Sequence, residues 1–346
     1  MLENKQDIRL LNLDQIASFL QENGEKAFRS KQIFEWIWKK SAQDFDSMTN
    51  LSLSTRDLLK SHFQILPVKI NDSQVSDDRT VKYALKLHDT HIVEGVLIPT
   101  PKRMTACISS QVGCSLTCKF CATGYMDRKR NLEAAEIYDQ VVIIAKESEV
   151  RYNQPLTNIV YMGMGEPLLN YANVLKSVEL ITSDKGLGMS PKRITVSTAG
   201  IAKMIKKLGD DEVKFNLALS LHAANDIKRN TIMPINESNS LEALSEALSY
   251  FYQKTKSKIT FEYIVFNNFN DNIEDAEELF QFAKCVPSKV NIIEYNPIKE
   301  ASYLKAEKDK IDKFQEYLEN KGLITKVRRS RGKDIDAACG QLAGKK

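Results

Sequence analysis

Apolar residues along this chain change their spacing from one region to the next. Near the N-terminus Leu13, Ile16, Ala17 and Leu20 recur at helical spacing, and Gly24 follows where a helix would stop. Ile33, Phe34, Ile37 and Trp38 predict a second helix over about 30–40, ringed by Lys26, Arg29, Lys31, Lys39 and Lys40. The polar stretch 71–79 reads as a turn or loop opening onto strands at 81–87 and 92–98. Beyond Met104 short β-rich runs alternate with helical ones. The pattern predicts strands at 157–162, 193–197, 215–221, 259–265 and 290–295, with helices at 133–148, 172–182, 241–254 and 275–283. Such alternation predicts an α/β fold, a parallel sheet covered by helices. With the strand before the Cys114 loop it makes six βα units. No solenoid repeat or low-complexity tract interrupts it.

A length of 346 residues predicts one large domain and a smaller one, divided as 1–90 and 91–346. The first is a helical module with a basic rim, read either as an RNA-docking surface or as a solvated face. A hydrophobic content of 42% supports a sizeable core, and a net charge of +4 neither requires nor excludes a polyanionic partner. Apolar runs are short, such as Val141 to Ala145, so no membrane span is expected. The N-terminus lacks the charged-then-apolar layout of a secretory leader, which predicts a cytoplasmic protein. Of six cysteines, four fall between Cys107 and Cys121, while Cys285 and Cys339 stand apart; this is no disulfide framework. Cys285, ending a helical pattern, reads as a buried structural thiol.

Cys114, Cys118 and Cys121 carry the most informative chemistry. Thiolates at C-x3-C-x2-C spacing can hold three irons of a [4Fe-4S] cube and leave the fourth open to a ligand. Structural zinc sites close all four positions, commonly with paired spacings. A zinc site borrowing a distant ligand, and chance, remain the alternatives from spacing alone.

Further motifs follow in order: Glu94 in Glu-Gly-Val-Leu-Ile-Pro, Cys107 in Cys-Ile-Ser-Ser-Gln-Val-Gly-Cys, and Met-Gly-Met-Gly-Glu-Pro at 162–167. After them come Val-Ser-Thr-Ala-Gly at 196–200, Ser-Leu-His at 220–222, Met-Pro-Ile-Asn at 233–236, and Asp-Ala-Ala-Cys-Gly-Gln-Leu ending at 342. Together they resemble the radical S-adenosylmethionine (SAM) RNA methyltransferases that act on carbon 2 of adenine in ribosomal and transfer RNA. The resemblance is tight over about 90–343 and loose before it.

That resemblance implies a partial (β/α)6 barrel of the radical-SAM type with a small helical N-terminal domain. It implies a [4Fe-4S] cluster on Cys114, Cys118 and Cys121, with SAM bound to the open iron and reductively cleaved to a 5′-deoxyadenosyl radical. Gly165, Glu166, Ser197, Ser220, Leu221, His222 and Asn296 would bind SAM. Cys339 would first take a methyl group from one SAM by displacement. The radical formed from a second SAM would then abstract hydrogen from that S-methyl group, and the resulting methylene would add to adenine. Cys107 would resolve the tether, and either Cys107 or Glu94 would accept the ring proton. Carbon 2, flanked by two ring nitrogens, is too electron-poor to attack a sulfonium methyl group directly, so a radical route answers a real obstacle.

Two basic groups, Lys119, Arg128, Lys129 and Arg130 after the cluster loop, and Arg328, Arg329, Arg331 and Lys333 before Cys339, predict phosphate contacts. The expected partners are 23S ribosomal RNA, transfer RNA and an electron-donating reductase, with the protein a monomer. The adenine would have to leave its stack. A related class methylates carbon 8 of the same ribosomal adenine; Pro167 and Val112 favour carbon 2. The reading from another class is an RNA-binding module with structural zinc.

Overall fold

A computed structural model describes residues 5–344. Three helices open the chain, α1 (Leu13–Glu22), α2 (Arg29–Trp38) and α3 (Leu53–His62). Asn12 starts α1 with a reciprocal capping box: its side chain accepts from Gln15 N at 2.8 Å, and the Gln15 side chain accepts from Asn12 N. The apolar stripe of Ile16, Leu20, Ile33 and Ile37 packs inward. The third helix escaped the periodic reading because its face is weakly apolar, with only Thr55 and Leu59 buried.

One ten-stranded sheet organises the rest. In chain order its strands are β1 (Lys69–Val75), β2 (Val81–Lys86), β3 (Ile92–Thr100), β4 (Arg103–Cys107), β5 (Asn158–Tyr161), β6 (Ile194–Thr198), β7 (Asn216–Ser220), β8 (Ile259–Val265), β9 (Ser288–Glu294) and β10 (Thr325–Arg328). Their spatial order follows the chain order, from β1 at one edge to β10 at the other. The first four pair antiparallel, and from β4 onward every pairing is parallel. The helices between parallel strands are α4 (Ala134–Tyr152), α5 (Tyr171–Thr182), α6 (Ala202–Asp210), α7 (Asp226–Ile232), α8 (Leu241–Thr255), α9 (Ile273–Ala283) and α10 (Lys308–Asn320). Six βα units therefore run from β4 to α10, as the alternation predicts, and β10 adds a further strand at an edge that stays open.

The stretch 71–79 is only partly the expected loop. Residues 71–75 belong to β1, an edge strand almost wholly exposed, so its polar composition imitates a loop while its backbone pairs with β2. At the opposite extreme every residue of β8 is buried, Glu262 included, since a central parallel strand has covered faces on both sides. Each buried Ile, Phe or Val there contributes about 1.5–3 kcal/mol.

The N-terminal helices are tied to α4. Arg9 pairs with Asp139 at 2.8 Å and Asp7 at 2.9 Å, Val68 N donates to Asp139 at 3.0 Å, and the Trp38 ring meets Tyr138 edge-on at 5.1 Å. Among the described residues no helix is long and apolar enough to cross a membrane. The leader reading rests partly on residues 1–4, outside the described range.

Candidate active site

The C-terminal ends of the parallel strands surround a cavity of about 410 Å³. This is the end at which sites are built in βα sheets and barrels, because strand-to-helix loops converge there. Cys114, Cys118 and Cys121 line it on the loop after β4, together with Gly165, Glu166, Ser197, Ser220, His222, Cys107 and Cys339. Ten of the thirteen residues singled out from sequence thus share one space. Leu221, Asn296 and Glu94 do not line it.

The loop of the three cysteines is tightly turned. Gly113 takes φ +76°, and a side-chain carbon there would meet Asp127 O at 2.2 Å; one at Gly124 would meet Cys118 O at 2.6 Å. Leu116, Phe120, Ala199, Ile232 and Met233 form an apolar shell against which the thiols pack. Burial pushes Cys114 up to about 11 and raises Cys118 and Cys121, with thiolate–thiolate repulsion adding to the rise at Cys114 and Cys118. Such a trio stays protonated unless a cation takes up the charge. Among the described residues no three Cys, His, Asp or Glu side chains close around a single metal ion. A cube needs no such closure, since each thiolate binds its own iron corner.

Glu166 lies beside this loop, 3% exposed, its carboxylate accepting from Leu168 N at 3.0 Å and Ala199 N at 2.7 Å. Burial raises its carboxyl, opposed by those backbone donors. A carboxylate has four acceptor positions, so capacity remains toward the cavity. Gly165 at φ +96° brings the backbone close, and a side-chain carbon there would strike Gln111. Ser197 and Ser220, on neighbouring strands, place their hydroxyls 3.3 Å apart. His222 holds a left-handed φ of 59°, accepts from Ile264 N at 3.1 Å through Nδ1, and meets Phe120 edge-on at 4.8 Å. Burial, with the Arg229 charge nearby, drops it to about 3, so the ring is neutral. Asn296 donates to Cys339 O at 3.2 Å and leaves a buried Oδ1 without a partner.

Cys107 ends β4 and is buried; burial first, then the neighbouring Cys339 sulfur, pushes its thiol up to about 12. Cys339 follows β10 on the C-terminal segment. Its surface is exposed, but to the cavity, whose walls still push the thiol up to about 11. Cys121 and Glu262 add to that rise and Arg328 opposes it. Glu94 sits on β3, 1% exposed, and its carboxylate accepts from Ala343 N at 2.7 Å and Gly344 N at 3.1 Å.

Comparison with known proteins resolves which family builds such a site. Residues 7–65 match the ribosomal RNA large subunit methyltransferase N-terminal domain, and residues 108–283 match the radical SAM superfamily. A probable dual-specificity RNA methyltransferase RlmN of Cytophaga hutchinsonii is 63% identical, covering 98% of this chain and 93% of its own. The chain belongs to the RlmN family of radical SAM proteins. An RlmN relative from Salinibacter ruber is 42% identical over 99% of the chain and 95% of its own. A crystal structure of a radical SAM methyltransferase from Sphaerobacter thermophilus superposes with a TM-score of 0.92 at 36% identity, covering 98% of this chain and all of that one.

Membership makes a [4Fe-4S] cluster and SAM the cofactors of this RlmN-family chain, and the site fits both. The thiol trio in its apolar shell suits the cluster, and the buried Glu166 carboxylate on the cavity wall suits a cofactor that donates hydrogen bonds. Sequence reading overlooked several residues that shape the site. Arg229, fully buried, donates to Leu221 O at 3.0 Å and to Ala199 O and Asn236 Oδ1, both at 2.5 Å, knitting three loops together. Its place four residues before Met233 of Met-Pro-Ile-Asn was the available signal. Gln140 on α4 accepts from Ser109 N at 2.9 Å and donates to Ser109 O at 3.0 Å, bracing the approach to the cluster loop.

The basic groups divide by the partners they meet. Arg130 is bound to Glu136 at 2.7 Å and Asp89 at 2.5 Å, Arg328 to Glu262 at 3.3 Å, Arg331 to Asp78, and Lys333 to Glu294 at 3.0 Å. These guanidinium and ammonium groups brace the loops around the cavity. Lys129 reaches Asp127 at 3.4 Å, while Lys119, Arg128 and Arg329 are exposed and have no carboxylate partner among the described residues.

Proposed function

We propose that this chain methylates carbon 2 of adenine in 23S ribosomal RNA and in transfer RNA next to the anticodon, with Cys339 as the methyl carrier. The observation carrying this reading is the convergence of Cys107 and Cys339 on the cavity lined by Cys114, Cys118 and Cys121. A methyltransferase acting by direct displacement onto RNA has no use for two further thiols beside a cluster loop. When bound, the cluster and SAM supply one-electron cleavage chemistry and the methyl group.

Cys339 accepts that methyl group after losing its proton, a loss the Arg328 charge eases. Gly165, Glu166, Ser197, Ser220, Leu221, His222 and Asn296 hold SAM, Leu221 and Asn296 through the frame around the cavity. Once the methylene carbon is joined to adenine, the RNA is tethered to Cys339 as a thioether. Cys107, as its thiolate, attacks the Cys339 sulfur; the sulfur–carbon bond breaks, and the departing methylene carbon takes up a proton to become the product methyl group. Two electrons and two protons by way of a reductase partner return the disulfide to both thiols. Glu94 and Cys107 compete for the role of acceptor of the ring proton. Cys107 lines the cavity and Glu94 does not, which favours Cys107.

We read residues 1–90 as an RNA-docking unit and 91–346 as the catalytic part of a cytoplasmic monomer. The carbon-8 alternative is disfavoured by Pro167 and Val112. Mass spectrometry of RNA from cells with and without the protein tests the reading: methyl groups on carbon 2 in both RNAs are expected. Methylation confined to carbon 8 would overturn it, and a colourless protein holding zinc without iron or sulfide would favour the RNA-binding module.

A further inference from the structure

Glu94 is a buried carboxylate whose oxygens are turned toward one stretch of chain. Oε2 accepts from two successive backbone amides, Ala343 N at 2.7 Å and Gly344 N at 3.1 Å. Oε1 faces Lys82 Nζ at 3.5 Å, and Lys82, itself 7% exposed, also donates to Asp336 O at 3.4 Å. Successive amides converging on a carboxylate form an anion nest, and hydrogen bonds to an ionised acceptor are about twice as strong as neutral ones. The donors lie just beyond Cys339 and the Lys82 contact lies just before it. Gly344 fits closely here: a side-chain carbon would come within 3.2 Å of Ile92 O and 3.3 Å of Met126.

Between those anchors the segment is bound to the cluster loop. Ala122 N donates to Gly340 O at 2.7 Å and Thr123 Oγ1 to Leu342 O at 2.6 Å, while Asn296 holds Cys339 O. Ala122 and Thr123 directly follow the ligand Cys121. The Gly340 and Leu342 carbonyls therefore face the cluster loop, and the last amides of the segment face Glu94 on β3.

We propose that Glu94 is a positioning residue, a latch that fixes the C-terminal segment against the cluster loop and so sets where the Cys339 sulfur stands. This rests on the reading of Cys339 as methyl carrier. It gives Glu94 a task distinct from accepting the adenine proton. Because methylation of Cys339 precedes any contact with RNA, the latch acts at a stage where a proton acceptor has nothing to do. The two roles therefore separate experimentally. Glutamine keeps an acceptor oxygen for both amides but cannot take a proton, whereas alanine removes the acceptor altogether.

The experiment uses full-length, cluster-loaded protein with SAM and no RNA, and measures iron content, hydrogen exchange of the peptide spanning 338–344, and the fraction of Cys339 methylated. Wild type reads Cys339 as carrier independently of the latch; an unmethylated Cys339 there would defeat the function reading, while exchange still tests the latch. Glu94→Ala is expected to keep its iron, speed exchange of the segment at least tenfold, and lower Cys339 methylation at least tenfold. Glu94→Gln is expected to restore both, and turnover on RNA as well. Ala343→Pro, which deletes one donor and leaves Glu94 intact, should reproduce the loosened segment, and serves if Glu94→Ala fails to fold. The latch is overturned if Glu94→Ala, or Ala343→Pro in its place, leaves exchange and methylation unchanged. It is equally overturned if Glu94→Gln, which keeps an acceptor for both amides, loosens the segment and loses Cys339 methylation as far as Glu94→Ala does.

Discussion

Cys107 and Cys339 are the same residue type in different settings, and the difference predicts their separate failures. Cys107 is walled in at the end of β4, whereas Cys339 meets the open cavity. Cys107→Ala should still accept a methyl group on Cys339 and still join it to adenine, then stall. Nuclease digestion followed by peptide mass spectrometry should find a nucleotide on the Cys339 peptide, lost when Cys339 is replaced too. Ordinary turnover with only a small cavity penalty, roughly 1 kcal/mol, would leave Cys107 structural. His222 makes a prediction of another kind. Its folded value of about 3 lies below the ordinary 6.5, so the unfolded chain binds the proton first as pH falls. Its contribution is complete above pH 6.5 and is lost progressively below it, by roughly 2 kcal/mol by pH 5. Urea titrations of wild type and His222→Asn at pH 7 and 5 should show the steeper loss in wild type; equal losses would mean the ring is protonated in the fold.

Between β4 and the cluster loop the chain needs a brace, and α4 supplies it through one side chain. Gln140 pairs with both backbone groups of Ser109, doing for an irregular stretch what a neighbouring strand does for a regular one. Gln140→Ala would leave a buried amide and carbonyl unpaired, a cost of about 2–4 kcal/mol. Thermal melting should fall by several degrees and iron content should fall with it; a melt and iron content equal to wild type would show that the loop holds its own shape. The pattern of apolar positions predicts α4 because its buried face is long and periodic. It says nothing of Gln140, a polar residue on that face, since only the irregular backbone opposite gives it a purpose.

Across the molecule, the two basic groups in the sequence read alike as phosphate contacts, and the fold divides their members into paired and unpaired. Lys119→Ala and Arg329→Ala should weaken RNA binding, each lowering the salt slope by about 1. Arg130→Ala should instead destabilise the fold, because it strips Glu136 and Asp89 of their cation. Binding measured at several salt concentrations, beside melting curves, separates these outcomes; an unchanged salt slope in both Lys119→Ala and Arg329→Ala would move the phosphate track elsewhere. The helical N-terminal segment, tied to α4 through Arg9 and Asp139, adds its basic rim to the same molecule.

Local order in the chain was enough for the alternation of strands and helices, the six βα units and the cluster loop, because periodic burial and close cysteine spacing are properties of neighbouring residues. The family motifs were likewise legible, since each is a short run. Tertiary structure decided what depends on distant segments meeting. It brought Cys339 to Cys107 across more than two hundred residues, turned an exposed polar stretch into the edge strand β1, paired Arg130, Arg328 and Lys333 with carboxylates, and set Glu94 against the C-terminal amides. Charge and thiol chemistry act through space, and a linear pattern records the groups without recording which of them face each other.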